Sequence, residues 1–249
     1  MINRKSVPTV VAFAVVGAAL MACGGGGGDS AAPPLVPESP SGATLSNIAA
    51  QGIWQSAAGA DMVNSTLVTD DGQVWSILTT ASTTRLLKAS LARAASGFTG
   101  TGKSFVLGTT AAEGVNMSVS AVAKTSLSGN ISNATQSESY SLAYQTRYDV
   151  SATLASFVGN WGATLGPGAV SLTIGSTGAI AGTRTTGCTY VGQLSLRTEG
   201  RAVVDVAMTE TCPAVTQMAG VAVKTNDNKG ITMLMTTVCD AQAVVLALR

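Results

Sequence analysis

Apolar and polar residues alternate with a period of two along much of the chain. The clearest runs are Val115, Met117, Val119 and Ala121; Tyr140, Leu142 and Tyr144; Val170, Leu172 and Ile174; and Ala202, Val204, Val206 and Met208. Such alternation is typical of strands that bury one face of an antiparallel sheet. Turn-forming residues lie between the runs, at Asp71-Gly72, Ser176-Thr177-Gly178, Glu199-Gly200 and Asn226-Asp227-Asn228. The pattern predicts an all-β protein whose short strands are joined by hairpins.

Two segments also fit a helix. The segment from Arg85 to Ala94 fits helical spacing about as well as it fits a strand. A brief helix is also predicted from Ser151 to Val158, with Ser151 as its N-cap.

A weak internal repeat divides the chain. Gly52-Ile53-Trp54 matches Gly159-Asn160-Trp161, and the turn Asp71-Gly72 matches Thr177-Gly178 at nearly the same distance downstream. Further on, Phe98-Thr99-Gly100 parallels Tyr190-Val191-Gly192. The repeat predicts two β modules, residues 46–150 and 151–249, each of about eight strands; one continuous meander is the alternative. We expect two small antiparallel up-and-down barrels or meanders, since closure removes unpaired strand edges.

The N-terminus has the layout of a secretory signal peptide. Arg4 and Lys5 precede an apolar run from Val7 to Leu20, which is too short to span a bilayer comfortably. The following Leu20-Met21-Ala22-Cys23 resembles the lipobox of bacterial lipoproteins, in which the cysteine thiol is diacylated and becomes the new N-terminus. The resemblance implies a signal peptide over residues 1–22 and a lipid anchor on Cys23. The alternative is an ordinary cleaved signal followed by an incidental cysteine.

Residues 23–45 have the composition of a flexible tether. Five glycines, Gly24 to Gly28, precede a stretch rich in Pro, Ala and Ser. Its expected r.m.s. reach is roughly 25 Å, enough to lift a domain off a membrane surface. Gly24 stands where enterobacterial sorting rules place an Asp in inner-membrane lipoproteins, so the resemblance favours the outer membrane.

Taken together, these motifs are similar to those of proteobacterial outer-membrane lipoproteins whose function is unassigned. The similar features are the lipobox, the poly-Gly tether, the Gly-x-Trp openings and the Gly187–Gly192 segment Gly-Cys-Thr-Tyr-Val-Gly. The segment Lys124 to Gly129 is, less extensively, similar to strand pairs in transferrin-binding and factor-H-binding surface lipoproteins, whose barrels capture proteins. The resemblance implies a binding role and supplies no catalytic residues.

Charge and residue usage exclude several classes of function. Without Arg4 and Lys5, the chain has twelve basic and thirteen acidic residues. This near-neutral balance gives no basic stripe for binding nucleic acid. The chain has no histidine, so Ser-His and Cys-His nucleophiles and His-based zinc sites are excluded. A Ser–Lys dyad such as Ser120 and Lys124 remains formally open, and the paired carboxylates Asp70-Asp71 are explained by their turn. We expect no catalytic residues, no metal and no cofactor.

One segment matches the nucleotide-binding P-loop pattern letter for letter. It is Gly97-Phe98-Thr99-Gly100-Thr101-Gly102-Lys103-Ser104. A working P-loop is followed by a helix whose N-terminus binds phosphate, whereas Phe105 to Gly108 predicts a strand. We interpret the match as a Gly-rich hairpin connection and expect no nucleotide.

Three cysteines remain once Cys23 is acylated. If Glu199-Gly200 is a two-residue turn, paired residue numbers sum to 399, and Cys188 and Cys212 sum to 400, nearly opposite each other. The mismatch predicts a three-residue turn or a bulge. An exported protein favours a disulfide there. The alternative bridge joins Cys212 to Cys239. If Cys188 pairs with Cys212 instead, we expect Cys239 to be a buried thiol.

These features predict a non-enzymatic envelope lipoprotein, anchored to the outer membrane through Cys23, that binds a protein or glycan partner or serves a structural role. The alternative is a lipocalin-like carrier that holds an apolar small molecule within one barrel. Trp54, Trp75 and Trp161 are the candidate pocket aromatics, although strand aromatics are more often core. Filled barrel interiors would argue against a carrier, because an eight-stranded barrel holds either its own side chains or one small ligand.

Overall fold

The computed structural model describes residues 48–56, 63–79, 83–109, 111–165, 168–237 and 241–248. The predicted signal peptide, the lipidation site Cys23 and the tether at residues 23–45 lie outside the described residues, as does Cys239. Within the described part of the chain, no helix has the length and apolar character needed to cross a membrane.

The chain forms two closed, eight-stranded antiparallel barrels, so the predicted fold class is confirmed. The first barrel consists of β1 (Gly52–Gln55), β2 (Val63–Val68), β3 (Gln73–Thr79), β4 (Thr84–Arg93), β5 (Phe98–Val106), β6 (Ala112–Val122), β7 (Ser126–Ser132) and β8 (Ser137–Tyr144). The second consists of β9 (Gly159–Leu165), β10 (Gly168–Ile174), β11 (Ala179–Arg184), β12 (Thr189–Leu196), β13 (Val203–Cys212), β14 (Ala214–Lys224), β15 (Gly230–Thr236) and β16 (Ala241–Leu248).

Each barrel closes at the strand that carries the Gly-x-Trp motif. In the first barrel, β1 pairs with β8, where Trp54 lies opposite Tyr144. In the second, β9 pairs with β16, where Trp161 lies opposite Leu248. Every other neighbouring pair is consecutive in sequence, which is the up-and-down topology. Closure leaves neither sheet with a free edge.

Both barrel interiors are filled by apolar side chains, because alternate residues of each strand point inwards. The first interior holds Ile48, Ala50, Trp54, Val68, Val74, Leu78, Leu87, Ala89, Leu91, Phe98, Val115, Met117, Val119, Leu127, Ile131, Tyr140 and Leu142, none more than 7% exposed. The second holds Phe157, Trp161, Val170, Leu172, Ile174, Ile180, Tyr190, Leu194, Val204, Val206, Met208, Met218, Ala222, Ile231, Met233, Met235 and Leu246, none more than 5% exposed.

The two motif tryptophans make the same hydrogen bond in both barrels. Trp54 donates its indole N–H to the carbonyl of Ala50 at 2.9 Å. Trp161 donates to the carbonyl of Phe157 at 2.8 Å, again four residues earlier. Each bond ties the segment that precedes the first strand to the buried ring. The shared contact supports an internal duplication.

The motif glycines also adopt matching backbone conformations. Gly52 has a φ of 152° and Gly159 a φ of 145°, values that side-chain-bearing residues rarely adopt. A Cβ atom at Gly52 would lie 2.7 Å from the ring of Tyr144. Glycine is therefore required where the chain enters the first strand against the closing strand.

The matched turns at Gly72 and Gly178 make equivalent hydrogen bonds. Gly72 donates to the carbonyl of Thr69 at 3.0 Å and accepts from the N–H of Leu91 at 2.9 Å. Gly178 donates to the carbonyl of Gly175 at 2.9 Å and accepts from the N–H of Leu194 at 2.8 Å. The two hairpins, β2–β3 and β10–β11, thus occupy the same place in their barrels.

The third sequence match was wrong. Phe98-Thr99-Gly100 lies in β5, the fifth strand of the first barrel, whereas Tyr190-Val191-Gly192 lies in β12, the fourth strand of the second. The hydrogen bonds to the hairpin glycines instead make Leu91 equivalent to Leu194. Short motifs of one aromatic and one glycine recur by chance in strands of this composition.

The two segments with helical spacing resolve differently. The segment from Arg85 is a strand, β4, because β3 and β5 pair with it on both sides. The segment after Ser151 forms one 3₁₀ turn, Leu154–Phe157. Its N-cap is Thr153 and has no side-chain hydrogen bond, so the prediction of Ser151 as the cap was wrong.

The disulfide between Cys188 and Cys212 is present, with Cα atoms 4.4 Å apart. The hairpin has the register that these cysteines need, since Thr189 pairs with Thr211. The predicted three-residue turn or bulge was wrong. The two strands pair without a register shift and are joined by residues 197–202, with a turn in which Gly200 donates to the carbonyl of Arg197 at 3.1 Å. The longer connection carries Arg197 to the first barrel, as described below.

Candidate functional site

The two barrels pack against each other through their outer faces. The buried apolar side chains of this junction come from β1–β5 of the first barrel, from the 3₁₀ turn Thr146–Asp149 that follows β8, and from β13–β15 of the second barrel. They are Ile53, Leu67, Trp75, Leu86, Phe105, Tyr148, Val203, Val221 and Leu234. Away from the junction the outer face is exposed and carries polar residues such as Ser118, Asn130 and Ser139 on β6–β8.

An arginine of the second barrel closes one side of the junction. The guanidinium of Arg197 lies 3.0 Å from a carboxylate oxygen of Asp70 and 3.1 Å from one of Asp71, both in the first barrel. It also lies 2.5 Å from Asp205 on its own barrel. The side chain of Arg197 is only 13% exposed, so the pairs are largely removed from water. The sequence assigned Asp70-Asp71 to a turn only and gave no sign of this contact.

The pKa values of Asp71 and Asp205 are shifted in opposite directions. Burial raises the pKa of Asp71, but a hydrogen bond from Thr69 and the charge of Arg197 outweigh burial, so the net pKa is lowered. Burial raises the pKa of Asp205 above its ordinary value despite the charge of Arg197. Asp71 is therefore held as a stable carboxylate, whereas the charge of Asp205 is costly.

An apolar cleft of about 210 Å³ opens between the barrels. We define this apolar cleft by its lining residues Ile53, Gln55, Ser65, Leu67, Trp75, Ile77, Arg147, Val221, Val223, Thr232 and Leu234. Two of them, Trp75 and Arg147, contain buried nitrogen atoms, the indole Nε1 and the guanidinium Nε, that have no hydrogen-bond partner. The cleft thus combines an apolar wall with unused donors.

A second concavity, of about 260 Å³, is lined by residues of both barrels. We define this lysine cleft by Lys88, Ala89, Ser90, Thr101, Gly102, Lys103, Phe105, Thr236 and Thr237. Lys88 and Lys103 are directly opposite each other on β4 and β5, an arrangement in which two like charges repel. The Nζ of Lys88 lies 4.9 Å from the ring centre of Trp75 and 3.4 Å from the hydroxyl of Thr236.

The segment that matches the P-loop pattern contributes Thr101, Gly102 and Lys103 to the lysine cleft. Its first residue, Gly97, lies in the β4–β5 connection with a φ of 86°, and the remainder belongs to strand β5. The interpretation of the whole segment as a hairpin connection was therefore wrong for all but Gly97. The strand continues into a turn and β6, so this segment has no helix N-terminus at which backbone N–H groups bind phosphate.

The three candidate pocket aromatics separate into two roles. Trp54 and Trp161 lie inside the barrels, where their rings are 0% and 1% exposed. Trp75 points the other way, lies at the junction and lines the apolar cleft. Trp75 therefore lines a cleft at the junction, whereas Trp54 and Trp161 belong to the barrel cores.

The formally open Ser–Lys dyad is not assembled. Ser120 is exposed on β6, and Lys124 follows in the next turn, where its Nζ lies 2.9 Å from a carboxylate oxygen of Asp149. Among the described residues, no hydrogen bond joins Ser120 to Lys124. The arrangement therefore does not activate the hydroxyl.

A buried acidic residue lies next to the disulfide inside the second barrel. Glu210 is 5% exposed and accepts a hydrogen bond from the hydroxyl of Tyr190 at 2.7 Å. Its carboxylate and the two sulfur atoms of Cys188 and Cys212 lie within 4.8 Å of one another. Because the sulfur atoms are bonded to each other, they are not thiolate ligands for a metal.

The chain matches no known protein family, and neither a curated protein nor a solved structure is detectably similar to it. The resemblance to outer-membrane lipoproteins accordingly stays a prediction from the sequence. What the structure defines is a pair of filled β-barrels joined side by side, with two clefts at the junction.

Proposed function

We propose that this chain is a non-enzymatic lipoprotein of the outer membrane, anchored through acylated Cys23, whose joined barrels bind a protein or glycan partner at their junction. The observation that carries the proposal is the filling of both barrels by their own side chains. An eight-stranded barrel filled in this way leaves its outer surface for binding. The concave parts of that surface described here, the apolar cleft and the lysine cleft, both lie at the junction.

The chemistry of the lysine cleft suits a polar partner. The exposed Lys103 supplies a positive charge that attracts an anionic or oxygen-rich group. Thr101 and Thr236 add hydroxyl groups, and Phe105 adds an aromatic surface. Lysine, hydroxyl and aromatic groups together fit an acidic glycan or an acidic protein segment.

The absence of enzymatic activity is supported by what the sequence and the candidate residues lack. The chain has no histidine, Ser120 and Lys124 are not joined, and the paired carboxylates Asp70 and Asp71 bind Arg197. Asp71 is a poor proton carrier at neutral pH, because its lowered pKa means that its protonated form is disfavoured.

The second candidate is a carrier of an apolar small molecule within one barrel. The buried residues that fill each interior, including Trp54 and Trp161, offer it little support. An apolar lipid that copurified with the protein and contacted Trp54 or Trp161 would favour the carrier over binding at the junction.

Anchoring is tested by Cys23→Ala. We expect labelled palmitate to be incorporated into the wild-type protein and not into the variant, and the variant to move from the membrane to a soluble fraction. Cys188→Ser is the matched control, since it removes a different cysteine and should leave labelling unchanged. A membrane-bound, unlabelled wild-type protein would contradict lipidation.

Partner binding is tested by capture from native envelopes with wild-type protein and Lys103→Glu. Lys103 is exposed, so its substitution should leave the fold intact while replacing one positive charge of the lysine cleft by a negative one. The control is Lys229→Glu, which makes the same change at another exposed lysine, in the β14–β15 turn. We expect a glycan or protein that is retained by the wild type and the control and lost with Lys103→Glu. Equal retention by all three would place the partner elsewhere.

A further inference from the structure

The apolar cleft has the size of a small-molecule site. Its volume of about 210 Å³ exceeds the roughly 150 Å³ of an engineered apolar cavity that binds benzene. Most of its wall is aliphatic or aromatic, with Trp75 and Leu67 from the first barrel and Val221 and Leu234 from the second. The cleft therefore has room for one ring or a short chain with a polar group attached.

Arg147 is the one cation in the wall of the cleft, and it lacks a counter-charge. One of its terminal nitrogens donates to the carbonyl of Lys224 at 3.0 Å, its Nε has no partner, and no described carboxylate lies within 4.0 Å. Burial lowers its pKa, which reflects the cost of a charge removed from water. By contrast, Arg197 at the same junction has three carboxylates around it.

Trp75 is the second unsatisfied group. Its Nε1 is buried and has no acceptor, although the ring is only 2% exposed. Trp54 and Trp161 both donate to backbone carbonyls, so the lack of an acceptor is particular to the tryptophan in the cleft. Buried polar groups without partners are uncommon in native proteins and call for an explanation such as a bound molecule.

We propose that the apolar cleft binds a small apolar monocarboxylate, either aromatic or short-chain aliphatic, whose carboxylate pairs with Arg147 and offers an acceptor to the indole N–H of Trp75, and whose hydrocarbon part packs against Val221 and Leu234. A single negative charge balances the single guanidinium, and a planar guanidinium suits a carboxylate. A phosphate would bring a second charge and no apolar surface, and a neutral hydrocarbon would leave Arg147 without a counter-ion. The binding of such an acid is independent of the lipid anchor and of the lysine cleft.

The test is a titration of the ¹⁵N-labelled protein with benzoate and with hexanoate at neutral pH, followed by NMR. The three indole N–H signals report on the interior of the first barrel (Trp54), the interior of the second barrel (Trp161) and the apolar cleft (Trp75). The signal that is missing from the spectrum of Trp75→Phe belongs to the cleft. We expect saturable shifts of the Trp75 signal, with those of Trp54 and Trp161 unchanged. Inorganic phosphate and benzyl alcohol, which lack the apolar body and the charge respectively, should bind at least ten-fold more weakly.

Two variants remove the site in different ways. Arg147→Met removes the charge, and Val223→Trp keeps Arg147 but fills the cleft; each should weaken binding of benzoate at least ten-fold. Arg201→Met is the matched control, because Arg201 is also half-buried and has an unpartnered Nε, but lies outside the cleft and pairs with Asp149 at 3.3 Å. Its affinity should match that of the wild type.

The proposal is overturned if neither acid gives a saturable shift of the Trp75 signal, or if a folded Arg147→Met or Val223→Trp variant binds benzoate like the wild type. It is also overturned if the shifts occur at Trp54 or Trp161, since the acid would then lie inside a barrel. If one variant fails to fold, as seen from its NMR spectrum, the other decides.

Discussion

At the scale of single residues, the hydrogen bonding of the indole N–H distinguishes Trp54 and Trp161, inside the barrels, from Trp75 at the apolar cleft. Trp54 and Trp161 each satisfy a backbone carbonyl that lies just before the first strand of a barrel. The ring of Trp75 is just as buried but has no such acceptor. The sequence could rank all three as core or pocket aromatics, because residue type and strand periodicity do not show which hydrogen bond a side chain makes.

Replacement of Trp161 by Phe should therefore lower the free energy of unfolding by more than replacement of Trp75 by Phe. Both changes remove similar apolar area, but Trp161→Phe also leaves the carbonyl of Phe157 without its partner, at a further cost of about 1–3 kcal/mol. Urea denaturation measures both values. Equal losses in the two variants would mean that the indole hydrogen bond does not stabilise the barrel.

The carboxylates around Arg197 give the protein a defined dependence on pH. The pKa of Asp71 lies below its ordinary value of 3.8, so its charge stabilises the fold above that pH and the contribution is lost as the pH falls through the lowered pKa. Asp71→Asn should cost about 1–2 kcal/mol at pH 7. The difference from the wild type should shrink below pH 3.8.

Asp205 is the internal control for that prediction, because its pKa is raised by burial. Its contribution to stability therefore falls as the pH rises from 3.8 through the raised pKa. The free energy of unfolding of the wild type, minus that of Asp205→Asn, should accordingly increase on acidification from neutral pH. Differences that change in the same direction for both variants would contradict the assignment.

At the scale of strands and hairpins, the sequence predicts what depends on neighbours along the chain. Alternation identified strands such as β6 and β10, and the glycines of Asp71-Gly72 and Thr177-Gly178 identified equivalent hairpins. Prediction from the sequence failed where contacts between distant parts of the chain determine the local structure. Helical spacing at β4 is overridden by pairing with two strands, and the connection at residues 197–202 is set by the contact of Arg197 with the other barrel.

The hairpin β12–β13 predicts a specific disulfide in the protein in solution. Mass spectrometry of unreduced peptides should find Cys188 linked to Cys212, and Cys239→Ser should leave this link intact. Replacement of Cys188 and Cys212 by Ser should lower the free energy of unfolding by about 3 kcal/mol, because the bridge closes a loop of 24 residues. A Cys212–Cys239 link would contradict the register of β12 and β13.

At the scale of the whole molecule, the junction is the feature that the two-module prediction lacked. Its signal lies in strands that are apolar on both faces, such as Leu86-Leu87 in β4 and Ile231 to Met235 in β15, since a strand that faces water on one side alternates instead. The signal says that the outer face is covered but not by what. The partner face is supplied by a barrel more than a hundred residues away in sequence, as with Asp70 and Arg197.

The central claim, that the outer faces of the two barrels form a buried junction, is tested most directly by the unfolding free energy of Leu234→Asp in urea. Leu234 lies on the outer face of β15 but is only 7% exposed, so a charge there should cost about 3–5 kcal/mol. Val191→Asp is the control, on the outer face of β12 at 59% exposure, and should change stability by about 0.5 kcal/mol or less. If Leu234→Asp is tolerated as well as Val191→Asp, the outer face of β15 is open to water and the junction does not exist.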